Sequence, residues 1–126
     1  DDQHKIARII QQCGYCAAPA PHTSGIRQLT ALMDHCRAVV AADTGVLHLA
    51  TIRQIPAIGL YGPKDPTVHG PWGRNSRVLR GEIPCSPCTL RTCEHSFCMQ
   101  SISPRAVETA LLELLVPETG RVDPTP

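Results

Sequence analysis

The segment Ala38-Val39-Val40-Ala41-Ala42-Asp43-Thr44-Gly45-Val46-Leu47-His48-Leu49-Ala50 carries an apolar strand into a helix through an Asp-Thr-Gly turn. Such a junction builds an anion site. The first amides of a helix have no intrahelical acceptor, and the helix dipole places partial positive charge beside them. Gly45 leaves the backbone open to a ligand and Thr44 adds a hydroxyl, so a phosphate or diphosphate fits. Asp43 stands where an N-cap belongs, and because it is itself anionic its expected role is to hold the turn rather than to meet a phosphate. His48 follows Thr44 by four residues, which puts both side chains on one helical face and lets the imidazole turn toward the same anion. A purely structural reading, with Asp43 as cap and His48 packed on a strand, fits the spacing equally well.

The elements that must position these residues follow the pattern of an α/β protein with a Rossmann-like parallel sheet flanked by helices. Lys5 to Gln12, with Ile6, Ile9 and Ile10 on one face, reads as a helix ending near Gly14, and Cys16 to Ala18 as a short strand. Ile26 to Cys36 is expected to be helical, capped by Thr23 or Ser24, ahead of the strand Ala38–Ala42. A helix Val46–Arg53 then leads to a second apolar strand, Ala57 to Tyr61, closed by Gly62-Pro63. Two strands joined by so short a helix should be parallel neighbours, and ligands of such sheets bind beyond the carboxyl ends of the strands. A short strand Arg77–Leu79 follows, and Ser103-Pro104 opens a helix whose stripe is Val107, Ala110, Leu111, Leu114 and Leu115.

Between the second and third strands, Gly62 to Gly73 is so rich in Pro and Gly that no regular structure is expected there. This loop carries Lys64, Asp65, Thr67 and His69 to the side of the sheet that holds the Asp43 turn. The chain also has seven cysteines. Cys85, Cys88, Cys93 and Cys98 fall close together, so a structural zinc is one reading, with His95 able to replace a sulfur. The spacing is looser than the paired Cys-x-x-Cys motifs of a zinc ribbon. Cys13-Gly14-Tyr15-Cys16 forms a further pair, and Cys16 and Cys36 read as small apolar residues.

Composition narrows the classes. With 126 residues, 42% hydrophobic, the chain is expected to form one domain with a modest core. A net charge of +1 and an aromatic content of 3% argue against a nucleic-acid partner. The first residues lack the apolar core of a signal peptide, and they open without Met in what reads as mid-helix, the pattern of a piece of a longer protein.

Ala41–Ala50, the run Pro56-Ala57-Ile58-Gly59-Leu60-Tyr61-Gly62-Pro63-Lys64-Asp65-Pro66 and Gly70-Pro71-Trp72-Gly73 resemble the C-terminal domain of the heptosyltransferases, glycosyltransferase family 9. Thr23-Ser24, the helix around Leu29–Met33, the Cys85–Met99 region and the helix after Ser103-Pro104 extend the resemblance over nearly the whole chain, with the cysteine region most similar to the heptosyltransferase II branch. The resemblance implies the C-terminal, donor-binding half of a GT-B enzyme that transfers heptose with inversion to the inner core of lipopolysaccharide. It implies residues 1–116 as an N-terminally incomplete nucleotide-sugar-binding domain containing a Cys-rich loop at 84–99; the tail at 117–126 is Pro-rich by composition and expected to fray.

On this resemblance Asp43, Thr44, Gly45, Val46 and His48 bind the diphosphate of ADP-L-glycero-D-manno-heptose. Ser24 and Gly25 approach the adenine, and Lys64 and Asp65 border the sugar diphosphate. No cofactor or metal is implied. The partners are the donor, a lipid A-Kdo/heptose acceptor and the N-terminal domain, which holds the general base; no catalytic residue is expected in this chain, and alone it should be inactive. The implied location is cytoplasmic, peripheral at the inner face of the bacterial inner membrane. Lys64 and Val46 depart from the family pattern, which usually has Thr and often Pro or Ala there.

Two other classes compete. A nucleotide-binding oxidoreductase domain would want Gly-x-Gly-x-x-Gly after a strand and an acidic residue for the ribose, and neither occurs; a Gly-x-x-x-x-Gly-Lys-Ser/Thr loop is also lacking. A zinc-stabilised interaction module would centre on Cys85 to Cys98 and would unfold on losing its metal.

Overall fold

The computed structural model describes residues 2–88, 90 and 92–116. The expected tail at 117–126 lies outside the described residues, as do Thr89 and Arg91 of the Cys-rich loop. The elements in chain order are α1 (Asp2–Gln12), α2 (Ile26–Met33), β1 (Val39–Ala42), α3 (Gly45–Ile52), β2 (Ala57–Tyr61), α4 (Pro66–His69), β3 (Ser76–Arg80), α5 (Phe97–Gln100) and α6 (Pro104–Leu115).

A three-stranded parallel sheet in the order β1-β2-β3 sits at the centre, as the α/β reading requires. Val39 pairs with Ala57 and Ala42 with Leu60, while Ala57 pairs with Ser76 and Tyr61 with Arg80. Central strand β2 holds the fully buried Ala57, Ile58 and Tyr61, which explains its unbroken apolar run. Met33 of α2 and Leu47 and Ala50 of α3 close the core against Ala57 and Tyr61, with Ile55 at its edge. Gly59 permits this approach: a Cβ there would stand 2.7 Å from the Tyr61 ring and 2.9 Å from a Leu47 methyl. Ser103 caps α6, its Oγ accepting from the Ala106 amide at 3.1 Å, with Pro104 in the first turn as the sequence signals.

Several elements differ from expectation, each for a local reason. Cys16 to Ala18 is not a strand; the following Pro19 and Pro21 remove donors, and β1 pairs only with β2. Helix α2 ends at Met33 and continues as turn to Cys36. Its N-cap is Gly25, not Thr23 or Ser24, and the Gln28 side chain accepts instead from the Ser24 amide and hydroxyl at 2.8 and 3.0 Å. The 62–73 loop contains the short helix α4, because Asp65 caps it and Pro66 suits its first turn. Helix α5 has no counterpart in the sequence reading. Cys16 and Cys36 are exposed rather than packed as small apolar residues.

Candidate functional site

Strands β1 and β2 deliver their carboxyl ends side by side, so the turn after Ala42 and the loop after Tyr61 share one end of the sheet. A bidentate ion pair joins the helices that precede and follow β1. Arg53 Nε and Nη2 donate to Asp34 Oδ1 and Oδ2 at 2.8 and 2.6 Å. Asp34 is the C-cap of α2 and Arg53 that of α3. The pair therefore ties the carboxyl end of α2 to that of α3, while Ser24 and Gly25 stand at the opposite, amino end of α2. The guanidinium holds the Asp34 carboxyl below the usual carboxylate range. Sequence reading missed this strut; the signal was an acid and a base at the ends of consecutive helices.

At the turn itself Thr44, not Asp43, is the N-cap of α3, with extended backbone (φ −144°, ψ 165°) and no side-chain capping bond. Its carbonyl accepts from the Leu47 and His48 amides at 3.0 and 3.5 Å. The Gly45 and Val46 amides donate to no acceptor among the described residues, and both residues are exposed. These are the orphan donors that an anion would satisfy. The Asp43 carboxylate lies 3.6 Å from His48 Nε2. Asp43 therefore faces the imidazole rather than the turn amides, and the pairing orients His48 at the mouth of the site. The two side chains are 22% and 37% exposed, open enough for a ligand to reach. Asp43, Thr44, Gly45, Val46 and His48 thus surround one turn, with Thr44 rather than Asp43 at the N-cap position.

Beneath them Tyr61 ends β2 with its ring fully buried, and its Oη donates to the His69 carbonyl at 2.7 Å. Burial, with the nearby Asp43 charge, pushes the Tyr61 phenol up. This bond shapes the 62–73 loop around the sheet end. The Asp65 carboxylate is engaged in capping α4, where Oδ1 accepts from the Thr67 amide and hydroxyl at 2.9 and 2.8 Å, and these bonds hold its carboxyl low. Its part is to fix the loop, while Lys64 is exposed and free to meet a ligand. Lys64, Asp65 and His69 line one wall of a cleft of about 640 Å³ whose other wall is Pro87, Cys88 and Leu90. A second cleft, of about 410 Å³, includes Ile55, Trp72, Arg74 and Asn75 at the opposite, amino ends of the strands. Helix dipoles and strand polarity favour an anion at the first location.

The Cys-rich loop closes this end of the sheet. Ser86 Oγ donates to the Gly62 carbonyl at 2.7 Å and accepts from the Arg80 guanidinium at 3.2 Å. The Cys88 amide donates to the Pro63 carbonyl at 2.7 Å. Met99 and Cys98 lie so close to Gly62 that a Cβ there would stand 2.6 Å from the Met99 sulfur. Among the described residues no three His, Cys, Asp or Glu side chains converge as a metal-holding group. Backbone amides of Ser96 and His95 hold the Cys93 thiol low.

Comparison with known proteins places the chain. The profile of glycosyltransferase family 9 (heptosyltransferase) matches residues 1–98. Lipopolysaccharide heptosyltransferase 1 of Pseudomonas aeruginosa is 34% identical over 122 residues, which take in 83% of this chain and 34% of that protein. Its Escherichia coli counterpart is 45% identical over 80 residues, 63% of this chain and 24% of the relative. The solved E. coli ADP-heptose lps heptosyltransferase II superposes with a TM-score of 0.53 at 30% identity, over 70% of this chain and 24% of that one. This chain spans 34% and 37% of the length of the first two curated relatives that it matches. The parallel sheet, its flanking helices and these matches lead to one assignment: the chain belongs to glycosyltransferase family 9, the heptosyltransferase family.

Proposed function

We propose that this chain is the donor-binding half of a GT-B heptosyltransferase and holds the diphosphate of ADP-L-glycero-D-manno-heptose at the Asp43–His48 turn. The observation that carries the reading is the pairing of Asp43 with His48 beside the open Gly45 and Val46 amides. The amides supply fixed donors to phosphate oxygens, His48 supplies a further one, and Lys64 supplies a cation across the loop. Ser24 and Gly25, at the start of α2, border the nucleoside.

In the whole enzyme a general base on the partner domain takes the proton from an acceptor hydroxyl of the lipopolysaccharide inner core. That oxygen displaces ADP from the anomeric carbon with inversion. The charge growing on the leaving diphosphate is stabilised by groups fixed in place beforehand, the turn amides and His48. Alone, the chain binds donor without transferring it. No helix among the described residues is long and apolar enough to cross a membrane, and the proposed site of action is the cytoplasmic face, where the lipid-linked acceptor is met.

Calorimetric titration tests the reading, with ADP and ADP-heptose as ligands, NAD as control and the Thr44→Ala/His48→Ala protein alongside. Binding of both ADP compounds that the double substitution abolishes supports it. Equal binding by the substituted protein contradicts it.

A further inference from the structure

Cys13 and Cys16 lie far along the chain from the Asp43 turn, and the proposed function uses neither. Helix α1 ends in a Schellman motif: the Tyr15 amide donates to the Ile10 carbonyl at 2.9 Å and the Gly14 amide to the Gln11 carbonyl at 3.2 Å. The chain then reverses again at once. The Cys16 amide donates to the Cys13 carbonyl at 3.3 Å, and both central residues are left-handed, Gly14 at φ 62° and Tyr15 at φ 61°. This is the hydrogen-bonding and φ signature of a mirror-image type I′ turn. A β-turn holds its first and fourth Cα atoms within about 7 Å, and a disulfide spans Cα atoms about 4.4–6.8 Å apart.

Both residues are free thiols, Cys16 exposed and Cys13 half-buried. The Cys13 thiol donates to the Ile10 carbonyl at 3.2 Å, so it is held on the turn rather than swinging away. As a thiolate, Cys13 gains the Cys16 thiol and the Ala17 and Cys16 amides as donors, which pulls its titration down while the Cys16 thiol is pushed up. The pair is thus asymmetric in the sense that thiol–disulfide exchange uses, one attacking and one resolving sulfur.

We propose that the Cys13–Cys16 turn is a dithiol modification site that a low-molecular-weight disulfide oxidises to an intramolecular disulfide. Cys13 loses its proton, and its sulfur attacks one sulfur of the reagent, forming a mixed disulfide and releasing one thiolate. Cys16 loses its proton and attacks Cys13 Sγ, closing the protein disulfide and releasing the second thiolate. The two thiolates take up the two protons. Two protein thiols are oxidised and one reagent disulfide is reduced to two thiols. The backbone turn is already in place, so closure requires little chain ordering.

The test is to incubate the full chain with oxidised glutathione, quench in acid, and map the thiols by proteolysis and mass spectrometry. The expected product is a linked Cys13–Cys16 peptide, two hydrogens lighter and restored by dithiothreitol, while Cys16→Ser stops at a glutathione adduct on Cys13. Gly14→Ala forces a Cβ into the left-handed region and slows closure by roughly 5- to 30-fold. The proposal is overturned if Cys13 and Cys16 stay reduced or carry separate adducts while Cys85 and Cys88 react. An unchanged closure rate in Gly14→Ala also overturns it. The native chain alone supplies the first readout, so the test survives a variant that fails to fold.

Discussion

The Asp43 carboxylate and the His48 imidazole stand 3.6 Å apart across the first turn of α3, linking the end of a strand to the helix it feeds. On the proposed function Asp43 aims the imidazole and leaves the open Gly45 and Val46 amides to the diphosphate. Truncating His48 removes a donor to a charged phosphate, so His48→Ala should weaken ADP binding by roughly 10- to 100-fold. Asp43→Asn keeps the volume but loses the charge that attracts the ring, and should cost less, roughly 3- to 10-fold. Calorimetry reads both, and equal affinity in all three proteins would make the pair structural.

Gly59 sits under Leu47 and Tyr61 with no room for a methyl group. Gly59→Ala should destabilise the fold by about 1–3 kcal/mol through overpacking. Urea unfolding would show a lower midpoint at unchanged slope. A neutral result would mean that α3 can retreat from β2.

Tyr61 donates its hydroxyl to the His69 carbonyl from a buried position. Tyr61→Phe should cost about 1 kcal/mol and loosen the 62–73 loop. The sign of its pH dependence follows from burial. The folded phenol titrates above its unfolded value, so its contribution is full below about pH 10 and is lost as pH rises through the folded value. Above about pH 10, native protein should lose stability more steeply than Tyr61→Phe, as denaturant titrations at stepped pH would show.

The Asp34–Arg53 strut has the opposite sign. Arg53 depresses the Asp34 titration, so this contribution is present above the unfolded value near 3.8 and is lost as pH falls through the folded value. The stability difference between native protein and Asp34→Asn should be constant near neutrality and close in acid. A difference that persists in acid would assign the effect to packing rather than charge.

Much of the sheet was legible because β1 and β2 are short apolar runs ended by turn residues, and their order with α3 admits few topologies. The geometry of the turn was legible for the same reason: a strand running into Asp-Thr-Gly fixes where the amides point. What stayed hidden depends on contacts distant in sequence. Thr44 rather than Asp43 stands at the cap position, and the Asp43 carboxylate lies 3.6 Å from His48, one turn along. Asp65 was visible as a polar loop residue, but its engagement by Thr67 emerges only once α4 forms. Cys98 suggested a metal ligand, whereas its surroundings include Gly62 at the end of β2.

The most direct test of the donor site is a two-dimensional amide NMR titration of this chain with ADP. Phosphate seated on the turn predicts the largest shift changes at the Gly45 and Val46 amides, with His48 ring signals moving in parallel and Thr44→Ala/His48→Ala silent. Shifts confined to the cleft around Ile55, Trp72 and Asn75, with Gly45 and Val46 unmoved, would contradict the account.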